Sequence, residues 1–248
     1  MNNSVIFRNP IFGFILLFLL YHIPLYYNTL LTQVIFKILF LIVAILIATA
    51  QGSKGLNDFG LKFENRGLLH LLIGLILGIT VFISTLIISD FYHVDRIVEV
   101  SPFLVVMKHL PTAIIFTLFA SLVEDILIRG YFIKHASKLG IHQWAWLTAL
   151  LFLLNHFWRF DQDSSVLYYI INLGLVLGYA VVISKNLWLA FGIHWGSNLI
   201  YETSTLAIKI EHIGNPNIGN WILGSLWLLV AIVMIVYTLK SKNKLNIS

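Results

Sequence analysis

Cysteine is absent from the 248 residues, which excludes disulfides, thiolate metal sites and cysteine nucleophiles. Charge is nearly as scarce: Asp, Glu, Lys and Arg make up 11% of the chain against 59% hydrophobic residues, and mean hydropathy is +0.89. A soluble domain carries roughly 25% charged residues, so this chain has too little polar surface to cover a globule in water. Its solvent is expected to be largely lipid. Nucleic-acid motifs are also missing, and the net charge of +5 is spread over short loops between apolar runs instead of forming a continuous patch. Membrane lipid is thus the expected partner and nucleic acid is not. No small-residue cleavage site follows the apolar stretch Ile11 to Tyr27 behind Arg8, so that stretch reads as a first span, not as a removable signal. No repeat is visible, the longest polar segment, Gln51 to Arg66, is an ordinary loop, and residues 1–248 read as one integral membrane domain.

What is abundant is apolar sequence in lengths that cross a bilayer, about 20 residues at 1.5 Å rise each. Eight such stretches run approximately from Ile11 to Tyr27, Leu30 to Ala50, Gly67 to Ser89, Pro111 to Ile133, Gln143 to Phe160, Val166 to Ser184, Leu187 to Thr203 and Gly219 to Leu239. The expected fold is all-α, a polytopic membrane helix bundle with about eight transmembrane helices. Cytoplasmic loops hold the excess of Lys and Arg. A cytoplasmic N-terminus puts Arg8, Lys54, Lys62, Arg66, Lys134, Lys138, Lys185, Lys240, Lys242 and Lys244 on the cytoplasmic side, and Asp90, Asp95, Glu99, Asp161, Asp163 and Glu211 opposite. Both termini are then cytoplasmic. Gly74 with Gly78, and Gly174 with Gly178, stand four apart on expected helices, a spacing that allows close helix packing in lipid.

An ionisable group at the bilayer centre costs on the order of 2.5 to 3.5 kcal/mol, so each one placed there suggests a function. Of nine histidines, His22, His70, His93, His109, His135, His142 and His212 fall at span ends or in loops, where water is expected to solvate them. His156 and His194 lie deep, as do Glu124 and Asp125. Lys37 is near enough to the outer end of its span to snorkel, a structural role. Counting from the cytoplasmic end of each helix at 1.5 Å per residue places Glu124 about 15 Å deep, His156 about 20 Å, His194 about 12 Å and Asn198 about 18 Å. Four polar groups on three helices thus approach the middle of a hydrocarbon layer about 30 Å thick.

Spacing separates their roles. Asp125 and Arg129 stand at i and i+4 with the acid first, the favourable order for a helix ion pair, whereas Glu124 is one position off that face. Glu124 is left free to turn into the bundle as a general base. His194 and Asn198, four apart, put imidazole and carboxamide on one face, as two donors to a single oxyanion require. Phe152 shares a face with His156 and is expected to pack beside the imidazole. Each residue also has a plain structural reading: Glu124 and Asp125 as a helix-anchoring cluster with Arg129, His156 as an interhelical hydrogen-bonding group, Asn198 as polar glue. Their convergence favours a site.

Glu124-Asp125-Ile126-Leu127-Ile128-Arg129-Gly130, then Phe152-Leu153-Leu154-Asn155-His156, then His194-Trp195-Gly196-Ser197-Asn198 resemble, in order, three motifs of the CPBP family. That family comprises the CAAX prenyl protease 2 type endopeptidases and bacterial bacteriocin-processing and lysostaphin-resistance relatives. Its pattern is Glu-Glu-x-x-x-Arg, Phe-x-x-x-His and His-x-x-x-Asn. The motif-bearing core is about 111–204, and Asp125 stands where the pattern has a second Glu. The resemblance implies an intramembrane endopeptidase of the bacterial cell membrane, acting on a peptide or membrane-protein substrate. Glutamate-activated water would attack a carbonyl, His156 assisting, with the oxyanion held by His194 and Asn198. Asp125, Arg129 and Phe152 would support these four. No cofactor is favoured, since His-Glu-x-x-His is absent, although Glu124, His156 and His194 could in principle bind zinc. Two other readings stay open: a non-catalytic membrane scaffold or bacteriocin-immunity protein, and a proton-coupled transporter, for which the two similar halves expected of such a fold are not evident. Oligomeric state is left open.

Overall fold

A computed structural model describes residues 7–27 and 29–241; Lys242 and Lys244 of the basic C-terminal run lie outside them. All eight apolar stretches become helix. The helices are α1 (Pro10–His22), α2 (Leu30–Ala50), α3 (Asn65–Phe91), α4 (Phe103–Asp125), α5 (Tyr131–His135), α6 (Ile141–Asn155), α7 (Ser164–Ser184), α8 (Trp188–Ala207) and α9 (Ile218–Lys240). The fold is an all-α bundle. Five continuous helical stretches are long and apolar enough to cross a membrane: Leu31–Ala50, Asn65–Phe91, Phe103–His135, Ser164–Ser184 and Ile218–Lys240. The other three stretches depart from that standard for distinct reasons. α1 and α6 have 13 and 15 residues, and α8 carries His194, Asn198 and Glu202 among its 20.

Boundaries differ from expectation where local chemistry intervenes. The helix expected to begin at Pro111 starts at Phe103 and runs through that proline. The stretch Gln143 to Phe160 is not one helix: α6 stops at Asn155 and a 3₁₀ turn, Phe157–Arg159, follows. The cause lies at His156, whose ring Nδ1 takes the carbonyl of Phe152 at 2.8 Å while its backbone N–H bonds Leu153 one residue short of the α-helical partner. α4 and α5 are joined by a π-helical turn, Ile126–Gly130. Two segments read as loops form an antiparallel ribbon, β1 (Asp95–Val100) with β2 (Ile208–His212), whose ends are closed by His212 Nδ1 against Asp95 Oδ1 at 2.6 Å. In β2, Ile208 and Ile210 alternate with Lys209 and Glu211, the period-2 pattern of a strand, while β1 breaks it at Ile97-Val98, where the register shifts.

α7 is the central helix, flanked by α6, α8 and α9, while α8 packs between α3, α4 and α7. α1 pairs with α2 beside α4. The α3–α8 crossing is backbone on backbone: a Cβ on Gly74 or Gly78 would collide with Leu189 and Ile193 carbonyl oxygens, and one on Gly192 or Gly196 with those of Leu71 and Leu75. Gly174 and Gly178 likewise seat α7 against Ala149 and Ala145 of α6. These contacts fix α6 and α8, which carry the histidines, against the rest of the bundle.

Candidate active site

Glu124 ends α4 and is 5% exposed. Its Oε1 accepts a hydrogen bond from Asn155 Nδ2 at 2.8 Å, with His156 Nδ1 at 3.7 Å, and its Oε2 faces His194 Nε2 at 3.8 Å. Two expected site residues, His156 and His194, therefore flank the carboxylate of a third. Asn155 was not anticipated. Adjacent residues diverge on a helix, but because α6 ends at Asn155, it and His156 both reach the same oxygen.

Asp125, fully buried, divides its two oxygens. Oδ1 meets Arg129 Nη1 at 2.5 Å, the expected i, i+4 pair, and Oδ2 meets His194 Nδ1 at 3.2 Å. An ionised carboxylate only accepts hydrogen bonds, which assigns the Nδ1 proton to His194 and turns Nε2 toward Glu124. By the same logic His156 donates from Nδ1 to the Phe152 carbonyl. A chain runs Arg129, Asp125, His194, Glu124. The side chain of Phe152 lies at its hub, its ring centroid 4.7 Å from that of His156, 5.6 Å from that of His194 and 4.7 Å from the Arg129 guanidinium carbon. The packing of Phe152 on His156 was expected; its contacts with His194 and Arg129 were not.

Asn198 is one turn along α8 from His194, and its Nδ2 donates to Ser121 Oγ at 3.0 Å. Ser121 sits one turn before Asp125 on α4, a spacing that could have flagged it. Tyr21 of α1 is the other residue sequence reasoning missed: its phenol lies within reach of Glu124 and Asn155. Nothing in the local pattern of α1 marks it, since only the packing of α1 on α4 brings it there.

One earlier expectation is corrected. His22 is not solvated at a helix end but 6% exposed, bonded through Nδ1 to the Phe18 carbonyl at 2.9 Å and stacked on Phe157 with centroids 5.7 Å apart. Lys37 turns back one turn toward the start of its span. Its ammonium bonds Gln33 Oε1 at 3.2 Å, lies 4.2 Å from the Phe116 ring centroid and faces a cavity of about 540 Å³. Among the described residues, no group of three His, Cys, Asp or Glu is arranged to hold a metal ion. The chemistry below uses side chains alone.

Residues 106–200 match the family model described as Type II CAAX prenyl endopeptidase Rce1-like. The matched segment contains all three motifs, from Glu124 to Asn198, and bears out the resemblance they suggested. No curated protein matches the chain. The matched segment is thus similar to a protease family, and five helices are long and apolar enough to cross a membrane. The matched segment spans α4 through most of α8; α1, α2, α3 and α9, with Tyr21 and Lys37, lie outside it.

Proposed function

We propose that this chain is an intramembrane endopeptidase that cleaves a membrane-associated or peptide substrate, with Glu124 as general base. The observation that carries this reading is the flanking of one buried carboxylate by two imidazoles at 3.7 and 3.8 Å. Such gaps are too long for direct hydrogen bonds; a water fits the one between Glu124 Oε2 and His194 Nε2, whereas His156 Nδ1 is already committed to the Phe152 carbonyl. Glu124 takes a proton from that water as its oxygen attacks the peptide carbonyl carbon. His194, its Nδ1–H held by Asp125, must carry a second proton on Nε2 to donate to the developing oxyanion, and Asn198 supplies a further N–H. The proton held by Glu124 then passes to the leaving nitrogen as the C–N bond breaks, giving a carboxylic acid and an amine, between which the remaining proton equilibrates. His156, held by the Phe152 carbonyl, assists at the water. Asn155 keeps Oε1 aimed. The proposed setting is a bacterial cell membrane with both termini cytoplasmic.

Lipid-reconstituted protein incubated with a peptide library, with products read by mass spectrometry, tests this reading. Glu124→Gln is expected to lower cleavage about 10²- to 10⁴-fold and His156→Ala by a similar order, with expression and thermal midpoint retained. Full activity in either variant overturns the assignment, and an immunity phenotype kept by Glu124→Gln favours a scaffold. Chelator treatment is expected to leave activity intact; loss restored by added zinc would overturn a mechanism run by side chains alone.

A further inference from the structure

The cavity of about 540 Å³ beside the site falls in the size range of small-ligand pockets. Its walls include Tyr21 of α1, Phe36 and Phe40 of α2, Phe116 and Val123 of α4, and Trp158. Two cations, Lys37 and Arg159, also line it. Neither has an acid. Lys37 bonds neutral Gln33 and Arg159 Nη1 bonds the Tyr169 hydroxyl at 3.2 Å, and among the described residues no carboxylate comes within 4.0 Å of either. Cations at membrane depth ordinarily pair with an acid or a carbonyl, because hydrocarbon does not solvate them. The cavity adjoins the candidate site: Trp158, one of its walls, packs against the His156 ring with centroids 5.3 Å apart, and Val123 immediately precedes Glu124.

We propose that this cavity is the substrate-recognition pocket of the same site, and that Lys37, seconded by Arg159, selects peptides bearing a carboxylate. The inference rests on the endopeptidase reading above and adds the chemistry of the substrate: an apolar segment for the aromatic walls and an anionic group a short distance from the scissile bond. The observation favours peptide over lipid, because a wall of the pocket, Trp158, packs on His156 of the site that would cut. It also makes Lys37 a specificity residue supplied by α2, outside the matched family segment.

Binding to the Glu124→Gln protein, in nanodiscs of zwitterionic phosphatidylcholine, reads the pocket without cleavage. Three dansyl-labelled probes built from Leu, Val and Ala are used: one with a free C-terminal carboxylate, its carboxamide, and a carboxamide with one internal Glu. At least one acidic probe is expected to bind about tenfold tighter than the neutral one, the scale of one charge-assisted hydrogen bond. Which acidic probe it is tells a C-terminal from a side-chain carboxylate. Lys37→Gln should shrink the preference to about twofold or less and Lys37→Arg should retain it. Lys37→Glu should reverse it. Arg159→Gln, read the same way, serves if a Lys37 variant loses its thermal transition. Equal binding of all probes, no binding of any, or an undiminished preference in both Lys37→Gln and Arg159→Gln overturns the proposal. So does displacement of the acidic probe by phosphatidylglycerol discs, which would assign the cations to lipid. Failure of the endopeptidase reading has a separate signature, full cleavage by Glu124→Gln, and leaves these affinities unchanged.

Discussion

Asp125 stands where the family pattern has Glu, and its geometry explains why the shorter acid suffices. One carboxylate must meet Arg129 one turn along its own helix and His194 on α8, and both lie within 3.2 Å of separate oxygens. Its part is to fix an imidazole, not to touch substrate. The pair is also fully buried, with side-chain exposures of 0% and 0%, and removing one member of such a pair strands the other at a cost of about 3 to 5 kcal/mol. Arg129→Met is therefore expected to lower the thermal midpoint of the detergent-solubilised protein sharply, whereas Asp125→Asn, which keeps the shape, should lower it less and reduce kcat more than KM. Equal melting of both variants with wild type would remove the pair from the structural core. An unchanged kcat in Asp125→Asn would remove it from the chemistry.

At the scale of elements, the position of α8 depends on four glycines at one crossing. Gly74 and Gly78 were legible from their spacing, but Gly192 and Gly196 were hidden inside the motif region, where His194 and Asn198 drew the reading. The crossing places both, since each turn of α8 that meets α3 on one side presents a polar residue to α4 on the other. Gly78→Ala would press a methyl into the Ile193 carbonyl and is expected to cost about 1 to 3 kcal/mol, as overpacking does, and to cut activity. Ile76→Ala, on the exposed face of α3, should change stability by less than about 0.5 kcal/mol. A tolerated Gly78→Ala would mean that the two backbones do not touch. Outside the bundle, the Gln51 to Arg66 loop is tied to α5 by Ser53, Asp58 and Lys134. The Ser53 hydroxyl, then the Lys134 ammonium, hold the Asp58 carboxyl below its ordinary range. A folded value below the unfolded one gives stability that is present above the unfolded value and lost as pH falls through the folded one. The midpoint of wild type should thus drop slightly more than that of Asp58→Asn on acidification below about pH 4, by less than about 1 kcal/mol for so exposed a group; parallel profiles would deny the loop this anchor.

For the whole molecule, helix placement was legible because lipid demands long uninterrupted apolar runs, and the polar cluster was legible because the same demand makes each exception conspicuous. What escaped was what only tertiary contact decides: the end of α6 at Asn155, the π turn after Asp125, the β1–β2 ribbon, and Tyr21 and Lys37 arriving from α1 and α2. The site cavity shows the difference most clearly. Along α4, Phe116 and Val123 precede Glu124, so the cavity lies on the side of that residue away from the end that carries Lys134. If the basic loops are cytoplasmic, as the charge distribution suggests, substrate enters from the opposite leaflet and not from the cytoplasm. Orientation thereby becomes a statement about which peptides the site can meet. Since the native chain has no cysteine, single cysteines at Lys138 and Gln162, both exposed and on opposite sides of α6, test it directly. Gln162 is preferred to Asp163, whose carboxylate caps α7 by accepting from Ser165 N at 2.9 Å. In intact cells a membrane-impermeant maleimide should label Gln162→Cys and spare Lys138→Cys until the membrane is opened. Labelling of Lys138→Cys alone in sealed cells would invert the chain, and the same pocket would then draw its peptides from the cytoplasm.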